Sequence, residues 1–140
     1  MRRVFCVLFV LWLAACGRDD SASYMVSGNR DHALSLFRTK AWYWSDWELA
    51  LVVARQPECL RRHLLAVAPA AGEFKVELYR TGEGGFILHQ DRNWFVAETG
   101  KCRMQAFKTP PPEPGELLGS WTDSDGGFKF VAAAVPAASR

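Results

Sequence analysis

The segment from Phe74 to Phe107 reverses on itself at short, regular intervals, and that rhythm constrains the fold more than any other feature of the chain. Phe74, Val76 and Leu78 alternate with Lys75, Glu77 and Tyr79, the period of two that puts apolar side chains on one face of a half-buried strand. Thr81-Gly82-Glu83-Gly84-Gly85 supplies the glycines of a tight reversal, and Phe86-Ile87-Leu88-His89-Gln90 runs back. Asp91-Arg92-Asn93 then turns into Trp94-Phe95-Val96-Ala97-Glu98, and Gly100 marks a break before Cys102 to Phe107. Three short reversals in succession predict an antiparallel meander.

Upstream, two periodicities compete. Asn29 is placed to cap a short helix from Arg30 to about Arg38, with Ala33, Leu36 and Phe37 on one face. Between Trp47 and Ala68, Ser45-x-x-Glu48 has the form of a capping box and Pro57 would stop a helix. Yet Leu49, Leu51 and Val53 alternate and Val52-Val53 is β-branched, so strands are preferred there. A central strand of this kind is apolar on both faces and suits a sheet covered on one side by the helix. The expected class is α+β, mainly β: a meander of about five or six strands with one short N-terminal helix.

The ends of the chain set the expected domain limits. Met1-Arg2-Arg3 precedes an unbroken apolar run from Val4 to Ala15, the layout of a secretory signal. A bilayer span takes about 20 apolar residues, and this run is shorter. It ends in Leu13-Ala14-Ala15-Cys16-Gly17, which resembles the lipobox of bacterial lipoproteins. The resemblance covers the leader and the first mature residue, and the rest of the chain matches no family of known activity. It implies a signal peptide over residues 1–15, removed by cleavage before Cys16, and a Cys16 thiol carrying diacylglycerol, with acylation (palmitate or a similar chain) of the new amine. Several acyl chains make anchoring stable, since each buried methylene contributes roughly 0.8 kcal/mol. In enteric members of the class an aspartate after the lipidated cysteine retains the protein in the inner membrane. Gly17 stands there, which implies the outer membrane, facing the periplasm. Residues 16–28, with Ser21, Ser23, Ser27 and Gly28, read as a flexible tether. Residues 29–108 read as the globular domain. Residues 109–140 read as a disordered tail, because Pro110-Pro111-Pro112 and Pro114 interrupt any regular element, although Phe128-Lys129-Phe130-Val131 could add a late strand with little to hold it beside Ala132-Ala133-Ala134 and Pro136.

Processing changes the charge and the cysteine count. The whole chain has 17 basic and 15 acidic residues, and loss of Arg2 and Arg3 balances them. Binding to nucleic acid needs a clustered positive field, and Arg61-Arg62-His63 is the one tight basic group, so nucleic acid is excluded as a partner. With Cys6 removed and Cys16 acylated, Cys59 and Cys102 are left as an even pair in an oxidising compartment, which predicts a disulfide. A zinc site built from Cys59, His63, His89 and Cys102 is the competing use of the same thiols, and its Cys-x3-His spacing is a poor match to known zinc patterns.

No catalytic constellation stands out. His32, His63 and His89 are scattered and form no metal-binding pattern. His89 with Asp91 is the nearest approach to a hydrolytic pair, without a serine elbow. The readings are a non-enzymatic binding or structural module without cofactor or metal, with an envelope protein or cell-wall glycan as partner, and alternatively a small periplasmic hydrolase or a glycan-binding protein. Trp42, Tyr43, Trp44 and Trp47 are the candidate ligand contacts, since aromatic faces stack on sugar rings. The competing expectation is that these large rings are core.

Overall fold

A computed structural model describes residues 17–124 and 127–134. They form ten strands in two antiparallel sheets, joined by loops and one three-residue 3-10 turn, Val26–Gly28. Strands β1 (Arg18–Met25), β2 (His32–Lys40), β3 (Glu48–Arg55) and β4 (Cys59–Leu64) pair in sequence order. The second sheet has the order β10-β9-β5-β6-β7-β8, built from β5 (Lys75–Arg80), β6 (Phe86–Gln90), β7 (Asn93–Glu98), β8 (Arg103–Ala106), β9 (Glu116–Ser124) and β10 (Gly127–Ala132). The meander expected between Phe74 and Phe107 is thus β5 to β8. Residues 47–68 supply two further strands, β3 and β4.

The two inner faces share one core. Leu34 and Leu36 of β2, Leu49, Leu51 and Val53 of β3, Val76 and Leu78 of β5, Leu88 of β6 and Trp121 of β9 are all buried in it. Each strand contributes alternate residues, as the pleat requires. The sheets meet along both edges. On one side the disulfide Cys59–Cys102 links the start of β4 to the turn before β8, with Cα atoms 5.9 Å apart, and His63 Nε2 lies 2.7 Å from the Cys102 carbonyl oxygen. On the other side β1 packs against β10. There Trp121 Nε1 donates to the Ala22 carbonyl at 2.9 Å, and the Tyr24 ring lies 5.2 Å from that of Phe130.

Four sequence expectations differ from this architecture. The described residues form ten strands in two sheets where one meander of about five or six was expected, because β1, β2, β9 and β10 come from stretches read as tether, helix and tail. The helix over Arg30–Arg38 is strand β2. Its Asn29 does not cap a helix: Oδ1 accepts from the Asp31 amide at 2.9 Å, closing a local turn. Leu34, Leu36 and Arg38 then point inward at period two. No helix covers the outer face of the first sheet among the described residues. Ala50 and Ala54 of β3 are buried there between taller neighbours such as Phe37 and Leu60.

The stretch read as a tether is mostly β1, which turns Asp20, Ala22 and Tyr24 inward and leaves its serines outside, Ser23 Oγ meeting Ser35 Oγ at 2.6 Å. The stretch read as a disordered tail holds β9 and β10. Its Trp121 is the largest fully buried side chain of the described residues, so this segment is part of the core. Gly119 lets β10 close over it, because a Cβ there would come within 2.7 Å of the Phe130 ring. The expected signal peptide over residues 1–15, Cys16, and residues 125–126 and 135–140 lie outside the described residues.

Candidate functional site

Both surface features with chemical character lie at one end of the sandwich, where β1 begins, β2 ends and β3 begins. The first is the connection between β2 and β3. Ser45 closes it: its amide and its Oγ donate to the Trp42 carbonyl at 3.1 and 2.8 Å, and Oγ accepts from the Trp42 amide at 3.2 Å. Ser45 therefore shapes a turn and caps no helix. Lys40 Nζ donates to the Tyr43 carbonyl at 2.9 Å, and Asp46 Oδ1 accepts from the Ala70 amide at 3.0 Å, fastening the loop at both flanks.

Held this way, Trp42 and Trp44 stack with ring centres 5.6 Å apart and planes 9° from parallel. Tyr43 meets Trp44 edge-on at 4.7 Å. The three rings are 45%, 80% and 63% exposed in chain order, so they pack on one another and on solvent. Trp47 belongs elsewhere. It is 5% exposed and lies beneath the Arg38 guanidinium, 4.1 Å from its ring centre, with Lys40 Nζ at 4.4 Å. The four aromatic candidates thus divide into an exposed trio and one core residue.

Gly17 precedes β1 at the same end. A Cβ on Gly17 would stand 2.6 Å from the Lys40 carbonyl oxygen and 3.3 Å from that of Ala41, the residue next to Trp42. This close approach by itself requires glycine at position 17. An aspartate there would collide with the chain whatever membrane the protein occupies.

The second feature is an open cavity of about 560 Å3 bordered by Phe74, Lys75, Glu77, His89, Gln90 and Asn93. Pairing of β5 with β6 sets Glu77 opposite His89 on the outer face. Glu77 Oε2 accepts from His89 Nδ1 and from the Tyr79 hydroxyl, both at 2.9 Å, while Lys75 Nζ lies 2.8 Å from Oε1. The Lys75 hydrogen bond, then those from His89 and Tyr79, hold the Glu77 carboxyl down at about 2, although burial works the other way. Burial and the bond to Glu77 push the Tyr79 phenol up to about 12.

His89 Nε2 meets the Asp91 backbone carbonyl at 2.7 Å, and Trp94 stacks flat on the imidazole at 3.8 Å. The carboxylate that meets His89 is therefore Glu77, from across the sheet, and Asp91 engages it through its main chain. Both ring nitrogens are occupied by acceptors, so neither is turned toward the cavity as a free base. Gln90, 6% exposed, donates to the Ala66 carbonyl at 2.8 Å, and its Oε1 has no partner among the described residues.

The other histidines divide. His63 is bonded to the Cys102 carbonyl, whereas His32 has a buried Nε2 with no partner among the described residues, and burial, then the Arg55 charge, lowers its proton affinity. The residues considered for zinc are used separately: Cys59 and Cys102 bond to each other, His63 lies beside that bridge, and His89 lies on the second sheet with Glu77. Among the described residues no group of three or more His, Cys, Asp or Glu is placed to hold a metal ion. Neither a protein-family model, nor a curated protein, nor a solved structure matches the chain.

Proposed function

We propose that this chain is a bacterial envelope lipoprotein, acylated at Cys16, held in the outer membrane and facing the periplasm, where its β-sandwich serves as a non-enzymatic binding or structural module. The observation that carries the reading is the sequence Leu13-Ala14-Ala15-Cys16 at the end of a short apolar run that starts with two arginines. The Cys59–Cys102 disulfide supports it, since such bonds persist in exported proteins and are rare in the cytosol. The closed hydrogen bonding around His89 and Glu77 favours a module over a hydrolase. Its partner is an envelope protein or a cell-wall glycan.

Mass spectrometry of the protein isolated from membranes tests the anchor. The expected N-terminal peptide begins at Cys16 and carries diacylglycerol and an amide-linked acyl chain, and a Cys16→Ser variant leaves the membrane fraction. An unmodified Cys16, or a variant that stays membrane-bound, rejects the reading. Crosslinking in intact envelopes followed by affinity recovery tests the binding role, with one reproducible envelope component expected.

A further inference from the structure

Resting on the lipid-anchor reading, we infer that the Trp42-Tyr43-Trp44 loop is a second membrane contact, seated in the headgroup region of the bilayer that holds Cys16. Three observations place it there. Only Gly17 separates Cys16 from β1 in sequence, and Gly17 is packed against the Lys40 and Ala41 carbonyls, so the residue that follows the acylated cysteine lies beside the start of the aromatic loop. The three rings are exposed on a turn that Ser45 and Lys40 hold in shape, so their exposure is built into the fold. Trp and Tyr, with an apolar body and a polar tip, favour the boundary between hydrocarbon and water.

Charge contributes little to this contact. Arg18 and Lys40 flank the loop, but Asp19, Asp46 and Glu48 stand beside them and offset their attraction for anionic lipid. The rings are therefore the adhesive element, and the contact is insensitive to the anionic lipid fraction. Acyl chains alone fix one point and leave the domain free to tilt. An aromatic contact beside them fixes orientation, bringing the end of the sandwich with the Glu77 and His89 cavity toward the membrane.

The test uses the full-length lipidated protein reconstituted into phosphatidylethanolamine and phosphatidylglycerol vesicles containing brominated phospholipid. Tryptophan emission is quenched where a ring reaches the lipid, and mass spectrometry of the same sample establishes acylation at Cys16. Quenching is expected in the native protein and is expected to fall by more than about half in Trp42→Phe/Trp44→Phe. Tyr43→Glu keeps both tryptophans but brings a charge to the interface, and is expected to reduce quenching likewise. Acylated native protein without quenching, or equal quenching in native and variant proteins, overturns the inference while leaving the anchor intact. Absence of acylation overturns the anchor reading on which it rests. Emission that responds to soluble muropeptides but not to brominated lipid assigns the rings to glycan and also overturns it.

Discussion

The two seams that join the sheets close the same core by opposite means. One is covalent: Cys59 and Cys102 link β4 to the turn before β8, across a sequence separation of 43. The other is ionic and aromatic. Arg38 of β2 is fully buried, its Nε and Nη2 donate to Asp20 Oδ2 of β1 at 2.9 and 2.7 Å, and its Nη1 donates to Asp123 Oδ2 of β9 at 2.8 Å. Trp47 and Phe128 lie 4.1 and 4.5 Å from the guanidinium carbon. The disulfide acts mainly by restricting the unfolded chain. The arginine acts in the folded state, where its desolvation is offset only while both carboxylates and the ring faces remain in place. One seam therefore tolerates losses around it, and the other depends on every partner.

Arg38→Met is the sharpest way to break that comparison. It takes the cation from Asp20 and Asp123, whose side chains keep 21% and 40% of their exposure and so stay partly hydrated, and denaturant titration is expected to give a loss of about 2–4 kcal/mol. Arg38→Lys, lacking the planar fork, is expected to recover only part of it. Replacing both cysteines by alanine is expected to cost about 2–4 kcal/mol, read in the same titration. The two losses are expected to add within about 0.5 kcal/mol, because the sites share no partner. A larger coupling would make the seams one unit.

Acid blurs the contrast unless Glu77 is accounted for. Its folded value of about 2 lies below the ordinary 4.5, so its stabilisation is complete above about pH 4.5 and is lost as pH falls toward 2. Glu77→Gln is expected to flatten the acid limb of the stability profile by on the order of 1–2 kcal/mol, allowing for solvent screening. The smallest effect belongs to the exposed rings. Trp42→Ala/Trp44→Ala is expected to change thermal stability by no more than about 0.5 kcal/mol, which separates any loss of membrane contact from loss of fold.

The difference between the seams also explains what could be read from the sequence. β5 to β7 were legible because alternation and glycine-rich reversals are local signals, and the disulfide was legible because the expected cleavage and acylation would leave two cysteines. Arg38 hid β2. A charged residue at an inward position spoils the period-two pattern, and the carboxylates that make its burial tolerable lie 18 and 85 residues away. Without that pattern, Ala33, Leu36 and Phe37 fit one face of a helix.

β1 was obscured because an edge strand with a solvated outer face needs only alternate residues for the core, and Ser21 and Ser23 lie on the outer side. β9 was obscured by the prolines ahead of it, which form a connection and say nothing about Trp121 beyond, and without β9 the alternation of Phe128 and Phe130 had no partner to pair with. For the aromatic run, sequence could not show that β2 ends at Lys40. That boundary is what divides Trp47 from the three exposed rings. Likewise, the proximity of Glu77 and His89 depends on the register between β5 and β6, which the reversal at Thr81–Gly85 sets.

The start of β1 at Arg18 has a consequence for range. A lipoprotein with a long linker can search the space between its membrane and the cell wall. If Cys16 carries the proposed acyl chains, this chain has no such leash. Gly17 is committed to packing, and the next eight residues are strand. On the proposed anchor, its farthest point from the lipid would be set by the length of the sandwich itself, about 25–30 Å at the strand rise per residue. Whatever it meets would then have to come that close to the bilayer.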